Sequence, residues 1–382
     1  MMNEYILSIV VPTKNRYKYL YSLIEQVKYI DDKRIELVIQ DNSDNNEEFK
    51  NYLENNEYPF ISYFWDDNNY TVCENSDLGV FHATGEYICF VGDDDIISKH
   101  LVKFVELMQK KRIDGAIFNR AVYDWPGVTR VNTHTFNITI PKFSGKLKFL
   151  NGIEEQHKIL RRCGTSLGYL PSLYQGVVKK SVLDTLREQC GTYFPGPSPD
   201  MGIAISLPYY MDKYVYCDAP LVSSGASPKS AAGLGAKHQH KGELKGKSFL
   251  PANIEEQWDK RIPMIWTAET IYAYSIFAAL KKVHKEQDLQ LFDFEYLYAG
   301  FSMFDSEYKD LLANPNIEGT YDKKKYYLYI IWLFIQRVYW FIYNRTIKRF
   351  SIDGTKHYDE VQNSFEAMKI IDKEISMTNF MK

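Results

Sequence analysis

The stretch EYICFVGDDDIISKHL, Glu86 to Leu101, decides the fold class. Tyr87-Ile88-Cys89-Phe90-Val91 is an unbroken apolar run of strand length and reads as a buried strand. It stops at Gly92 and three consecutive carboxylates, Asp93, Asp94 and Asp95. Leu101, Phe104, Val105 and Met108 then recur at helical spacing, so an amphipathic helix follows. The acids therefore fall at the carboxyl edge of a sheet, where α/β folds bind their ligands. Adjacent carboxylates repel one another, and a divalent cation relieves that repulsion. All-oxygen donors suit Mg²⁺ or Mn²⁺, which typically share their coordination with substrate phosphates. A solvated acidic turn is the plainer alternative for this segment taken alone.

Upstream, Ile6 to Val11 is apolar and β-branched, consistent with a buried parallel strand that Pro12 ends. Leu20, Leu23, Ile24, Val27 and Ile30 mark the inner face of a helix. Ile35 to Ile39 forms a second strand closed by Asp41-Asn42-Ser43-Asp44, and Phe60 to Trp65 a third. Downstream, Ala116 to Phe118 together with Ala121 to Tyr123 suggest another. This alternation predicts an α/β fold with a mainly parallel sheet covered by helices. Helices are expected over 154–162, 181–189 and 201–210, and a short strand over 214–216. Ser223 to Lys247, rich in Gly, Ser, Ala, Lys and His, reads as a mobile loop that orders on a ligand. From Trp258 to Lys285 one long helix is expected, with Pro263 near its start or at a kink. The expected organisation is a catalytic α/β domain over 1–225, an active-site loop over 226–252 and a mostly helical region over 253–382.

With 382 residues, 45% of them apolar, the chain can bury a sizeable core. A net charge of −3 points to no nucleic-acid partner. The five cysteines are widely spaced with no CxxC pair, which suggests reduced thiols in a cytoplasmic protein without a signal peptide. The most apolar segment, YYLYIIWLFIQRVYWFIY at Tyr326–Tyr343, approaches spanning length but contains Gln336 and Arg337. Lys323, Lys324 and Lys325 precede it, and Arg345, Lys348 and Arg349 follow. Aromatics flanked by cations suit a peripheral membrane contact through 323–349. A packed C-terminal helix or a homo-oligomer contact is the alternative.

Four segments recur in a telling order: SIVVPTKNR at Ser8–Arg16, VIQDNSDN at Val38–Asn45, ENSDLGVFHATGEYICFVGDDD at Glu74–Asp95, and SPD at Ser198–Asp200. In this order they resemble the family 2 glycosyltransferases of GT-A fold, of the bacterial polysaccharide-synthesis type. The resemblance implies a nucleotide-sugar donor, expected to be UDP-linked, a glycan or lipid-linked acceptor, and an Mn²⁺ or Mg²⁺ cofactor. It implies that Pro12, Thr13, Asn15 and Arg16 line the nucleoside pocket and that Asp41 accepts a hydrogen bond from the base. Asn75 and Asp77, in the helix before the acidic strand, would face the nucleotide. Gly79, Ala83 and Gly85 would let that helix pack closely. The family's Asp-x-Asp pattern has no unique register here: Asp94 and Asp95 are the metal candidates, with Asp93 and Asp94 toward ribose and diphosphate. Asp200 matches the catalytic base, although Pro199 stands where the family usually has a paired acid. Lys229 and Ser230 would add donor contacts, and His240, or His238, would complete the metal site. An inverting transfer to an acceptor hydroxyl follows from this set.

Other readings fit less well. A dinucleotide oxidoreductase would carry GxGxxG after the first strand, and none is present. A nucleotidyltransferase would show a Gly-rich, Arg-containing loop there, which VVPTKNR lacks. A catalytically silent scaffold of the same fold would not need the three acids and Asp200.

Overall fold

A computed structural model describes residues 5–130, 137–236, 241–247, 250–378 and 380. The first part alternates strictly: β1 (Leu7–Thr13), α1 (Tyr17–Ile30), β2 (Ile35–Asp41), α2 (Glu47–Glu54), β3 (Ile61–Trp65), α3 (Val72–His82) and β4 (Tyr87–Phe90). The middle part is more broken: β5 (Ile96–Ile97), α4 (Leu101–Lys111), β6 (Gly115–Phe118), β7 (Val122–Asp124), β8 (Ile138–Ile140), β9 (Leu147–Leu150), α5 (Gly152–Leu160), β10 (Gly176–Lys179), α6 (Lys180–Cys190), α7 (Pro199–Ser206), β11 (Tyr214–Cys217), β12 (Val222–Ala226) and α8 (Ala231–Ala236). The last part holds α9 (Ile254–Gln257), α10 (Ala268–Lys282), α11 (Phe294–Phe304), α12 (Lys323–Tyr343), β13 (Lys356–Tyr358) and α13 (Ser364–Ser376).

An eight-stranded sheet in the order β3-β2-β1-β4-β10-β6-β11-β9 forms the frame. β3, β2, β1 and β4 run parallel, as expected from their βα alternation. β10 runs antiparallel to both β4 and β6, so the whole sheet is mixed. Side chains alternate between two apolar cores: Leu7, Ile9 and Val11 of β1 join the one that includes α1 and α4. Val10 joins the other, with Ile88, Phe90, Val178 and the helical C-terminal part. α3 lies close over β1: a Cβ at Gly85 would sit 2.6 Å from the Ser8 backbone nitrogen, and one at Gly79 3.0 Å from Val10. Its start is fixed by a reciprocal cap between Thr71 and Glu74.

Several expectations change. Pro12 lies inside β1 and pairs in register with Gln40 of β2. It is tolerated because the β1–β4 pairing ends at Val10, so beyond that point one side of β1 is an edge that needs no N–H. Residues 116–123 form two strands in different sheets. β7 belongs to a five-stranded sheet, β13-β8-β7-β12-β5, which packs against the end of the first. The segment expected as a mobile loop begins instead with β12 and continues into α8. The long helix expected over 258–285 is also absent as such. A turn through Pro263 separates α9 from α10, and the Thr267 hydroxyl caps α10 through the Thr270 N–H. The C-terminal part returns to the α/β body: β13 pairs with β8, and α13 packs on α1. The five cysteines are all free.

Candidate functional site

The acidic turn is built by strand neighbours. Because β1 and β4 lie side by side, the loops that leave them meet. Thr13 Oγ1 donates to Asp93 Oδ2 at 2.8 Å. Arg16 Nη2 reaches both acids, 2.7 Å to Asp93 Oδ1 and 2.8 Å to Asp94 Oδ2. The same nitrogen donates to Ser227 Oγ at 2.9 Å. The Ser227 N–H donates to Asp94 Oδ2 at 3.0 Å, so the segment after β12 closes over the turn. Burial raises the Asp93 carboxyl above its ordinary range, the Arg16 cation pulls it back, and the Asp94 charge pushes it up again.

Asp95 faces the other way. Its Oδ1 accepts from the Gly225 N–H at 2.8 Å and from Gln175 Nε2 at 2.9 Å, and its Oδ2 from the Gly92 N–H at 2.8 Å. It is fully buried and acts as the buckle between β4, β10 and β12. β12 approaches so closely that a Cβ on Gly225 would lie 1.7 Å from the Asp94 carbonyl oxygen. Asp94 differs from both neighbours, because its Oδ1 accepts no hydrogen bond among the described residues.

This donor set bears on the expected divalent ion. Among the described residues no group of three or more His, Cys, Asp or Glu is assembled to hold a metal. Mg²⁺ and Mn²⁺ nevertheless need only one or two carboxylates when substrate phosphates supply the rest. Asp94 Oδ1 offers one such oxygen, and Asp93 a second if Arg16 turns toward a phosphate. Both oxygens of Asp95 already accept hydrogen bonds from the protein. His238 and His240 lie outside the described residues.

The remaining residues expected at the nucleotide pocket divide by what they already hold. Pro12 sits half-buried beside Thr13. Asn15 has a left-handed φ of 57° and zips the β1 loop to the β2 loop. Its N–H donates to Ser43 Oγ at 2.7 Å, and its amide pairs with Asp44. Asp41 is fully buried and its carboxylate is committed within the protein. Oδ2 accepts from the Tyr17 and Tyr63 hydroxyls, each at 2.7 Å, and Oδ1 from the Ser43 N–H at 2.8 Å. Asp77 ties α3 to the segment before α7, accepting from Thr192 Oγ1 and the Tyr193 N–H at 2.6 Å each. Asn75 is different: its Oδ1 is buried and has no hydrogen-bond partner among the described residues. Ser230 is used in its own turn, accepting from the Ser227 and Gly233 N–H groups at 3.1 Å each. Lys229, between them in sequence, is exposed.

Asp200 lies in the first turn of α7, at its second residue. The expected capping alternative does not describe it, because neither Ser198 nor Asp200 makes a side-chain cap bond. Its carboxylate has no hydrogen-bond partner among the described residues. The surrounding protein desolvates it and lifts its pKa to about 6, with the nearby Arg120 guanidinium pulling the other way. Three neighbours carried no sequence motif. Tyr174, before β10, is half-buried with its hydroxyl within electrostatic reach of Asp95, Asp200 and Asp94, so it links the acidic turn to α7. Arg120, between β6 and β7, and Tyr272 of α10 face Asp200 together. The result is a pinned acidic turn on one side of Tyr174 and, on the other, a carboxyl beside a cation and without a hydrogen-bond partner among the described residues.

Residues 8–177 match the family model described as Glycosyl transferase family 2. No curated protein sequence matches the chain. Among solved structures, S. aureus TarS 1-349 in complex with UDP-GlcNAc is 15% identical and aligns with a TM-score of 0.47 over 97% of this chain and 91% of that one. TarS 1-349 in complex with UDP is 18% identical with a TM-score of 0.45, over 78% of this chain and 72% of that one. The matched residues contain the acidic turn, Arg120 and Tyr174, whereas Asp200 and α7 lie beyond them. The α/β body, with its mixed sheet and following helical region, is GT-A-like, and over residues 8–177 the chain is similar to Glycosyl transferase family 2.

Proposed function

We propose that this chain is an inverting, divalent-metal-dependent glycosyltransferase. It would move a sugar from a nucleotide-sugar donor, with UDP-linked sugars the first class to assay, to a hydroxyl of a glycan or lipid-linked acceptor. The observation that carries this reading is Asp200: a carboxyl without a protein partner among the described residues, facing the acidic turn across Tyr174. In the transfer, the acceptor oxygen attacks the anomeric carbon as the bond from that carbon to the diphosphate oxygen breaks. The acceptor proton passes to Asp200, and the nucleoside diphosphate leaves with the bonding pair. A carboxylate whose pKa sits near 6 is matched to that task close to neutral pH. Arg120 keeps a fraction of Asp200 ionised and is placed to meet negative charge on the donor or acceptor.

Asp94, with Asp93, would hold Mg²⁺ or Mn²⁺, which would supply charge neutralisation on the leaving diphosphate. Arg16 keeps the acid pair from repelling when the site is empty of donor and is released toward phosphate when donor binds. Asn75 Oδ1, buried and without a hydrogen-bond partner among the described residues, is a ready acceptor for a donor hydroxyl or base N–H. The test is turnover of nucleotide sugars with Mn²⁺, reading free nucleotide and the anomeric configuration of the product. Release of nucleoside diphosphate, lost in Asp200→Asn and with inverted configuration in the product, is the expected result. Full turnover by Asp200→Asn, or a product of retained configuration, would overturn it.

A further inference from the structure

α12 breaks the rule that an apolar helix hides its apolar face. Its first half is conventional: Tyr326, Tyr329 and Leu333 pack toward α11. The same face continues with Trp340, seven residues past Leu333, which is 53% exposed. From Phe334 onward the helix has run off the body, and Ile335, Val338, Phe341 and Ile342 are exposed on its other sides. Phe350, and Ile352 at 71% exposure, extend the apolar surface past the helix end. A helix that is apolar all round belongs in an apolar medium rather than in water. Yet among the described residues no helix is long and apolar enough to cross a membrane.

Charge selects the occupant. Between residues 323 and 352 there are seven Lys and Arg and no Asp or Glu, in a chain whose net charge is −3. Arg345, Lys348 and Arg349 crowd the turn where the exposed helix ends. In a two-fold contact between copies the same patch meets itself, so these cations would face cations. An anionic surface with an apolar interior satisfies both features at once.

We propose that the free half of α12 and the basic turn after it dock the protein onto an anionic lipid bilayer. The aromatic shaft enters the interfacial region, and Arg345, Lys348 and Arg349 meet the headgroups. α12 packs on α11, α11 on α10, and α10 on α7, which carries Asp200. The docking element is therefore joined to the helix that carries Asp200 by packed helices, and the bilayer would hold the protein where lipid-borne acceptors lie. Vesicle binding by this surface does not depend on glycosyl transfer, and its test requires no turnover.

The full chain is floated with vesicles of phosphatidylcholine alone and of equal parts phosphatidylcholine and phosphatidylglycerol. Binding to the mixed vesicles, weakened by salt and absent from the neutral ones, is expected. Replacing Arg345, Lys348 and Arg349 together by Gln should weaken that binding about a hundredfold, at about tenfold per 1.4 kcal/mol and about 1 kcal/mol per cation. The pair Trp340→Ser and Phe341→Ser should abolish binding without lowering Tm, because both side chains are exposed. Equal affinity for both vesicle types would overturn the proposal. So would a lack of vesicle binding, with or without a dimer by light scattering that Trp340→Ser and Phe341→Ser dissolve.

Discussion

Replacing Asp200 by asparagine should stabilise the protein above pH 6 while removing turnover. The carboxyl titrates near 6 in the folded chain, against an ordinary 3.8. A shift of about two units corresponds to about 3 kcal/mol disfavouring the ionised form. The residue keeps some solvent contact, so about half of that is a fairer figure. Against it stands the favourable placement of a negative charge in the first turn of α7, about 0.5 kcal/mol. The net gain for Asp200→Asn is then about 1 kcal/mol. The sign follows from proton binding. The folded state holds this proton more tightly than the unfolded state, so the wild-type penalty is absent below 3.8. It grows between 3.8 and about 6 and is complete above that. Denaturant titration at pH 8 should show the variant more stable than wild type, and at pH 4 the two should nearly coincide. A variant destabilised equally at both pH values would refute the reasoning, because Asp200 would then be a structural cap rather than a held-back base.

Arg120→Gln removes the one cation that lowers the Asp200 pKa, so the acid limb of the pH–rate profile should move upward from about 6. A pH series of kcat/KM reads this directly; an unmoved limb would separate Arg120 from the base. Asp94→Asn and Asp95→Asn should part company. The first should keep its Tm and lose metal-dependent donor affinity in calorimetry. The second turns an amide toward donors that now point at Asp95 and should cost about 3 kcal/mol in stability. Gly225→Ala forces a Cβ onto the Asp94 carbonyl and should cost about 3 kcal/mol or more, with loss of soluble, donor-binding protein in thermal-shift assays.

The parallel half of the sheet was legible because its strands are apolar runs and α1 and α4 each carry a 3.6-residue stripe. The second sheet was not, since β5 has two residues and β7, β8 and β13 have three each, too short for any period to show. Merging Ala116–Phe118 with Ala121–Tyr123 hid Arg120, which sits in the link where the chain changes sheets. The polar pair Asn119-Arg120 between two apolar ends was the available signal. The three acids were conspicuous, but their roles were not. Which of them points inward depends on a tight turn and on Gly225 and Gln175, which lie 130 and 80 residues from Asp95. Tyr174 belongs to no motif and is brought beside the acidic turn only by the antiparallel return of β10. Asp41 was expected to be free for a base, yet two tyrosines from α1 and β3 fill it, a pairing that only the folded register creates.

The central claim is that the acidic turn, with Asp200 beyond Tyr174, binds a nucleoside diphosphate with a divalent ion. Calorimetry of UDP, GDP, CDP and dTDP, each with and without Mn²⁺, tests it most directly on the wild type, Asp94→Asn and Asp200→Asn. The account predicts Mn²⁺-dependent binding of one nucleotide, expected to be UDP, lost in Asp94→Asn and kept in Asp200→Asn. Binding of none of the four, or binding that Asp94→Asn leaves intact, would contradict it.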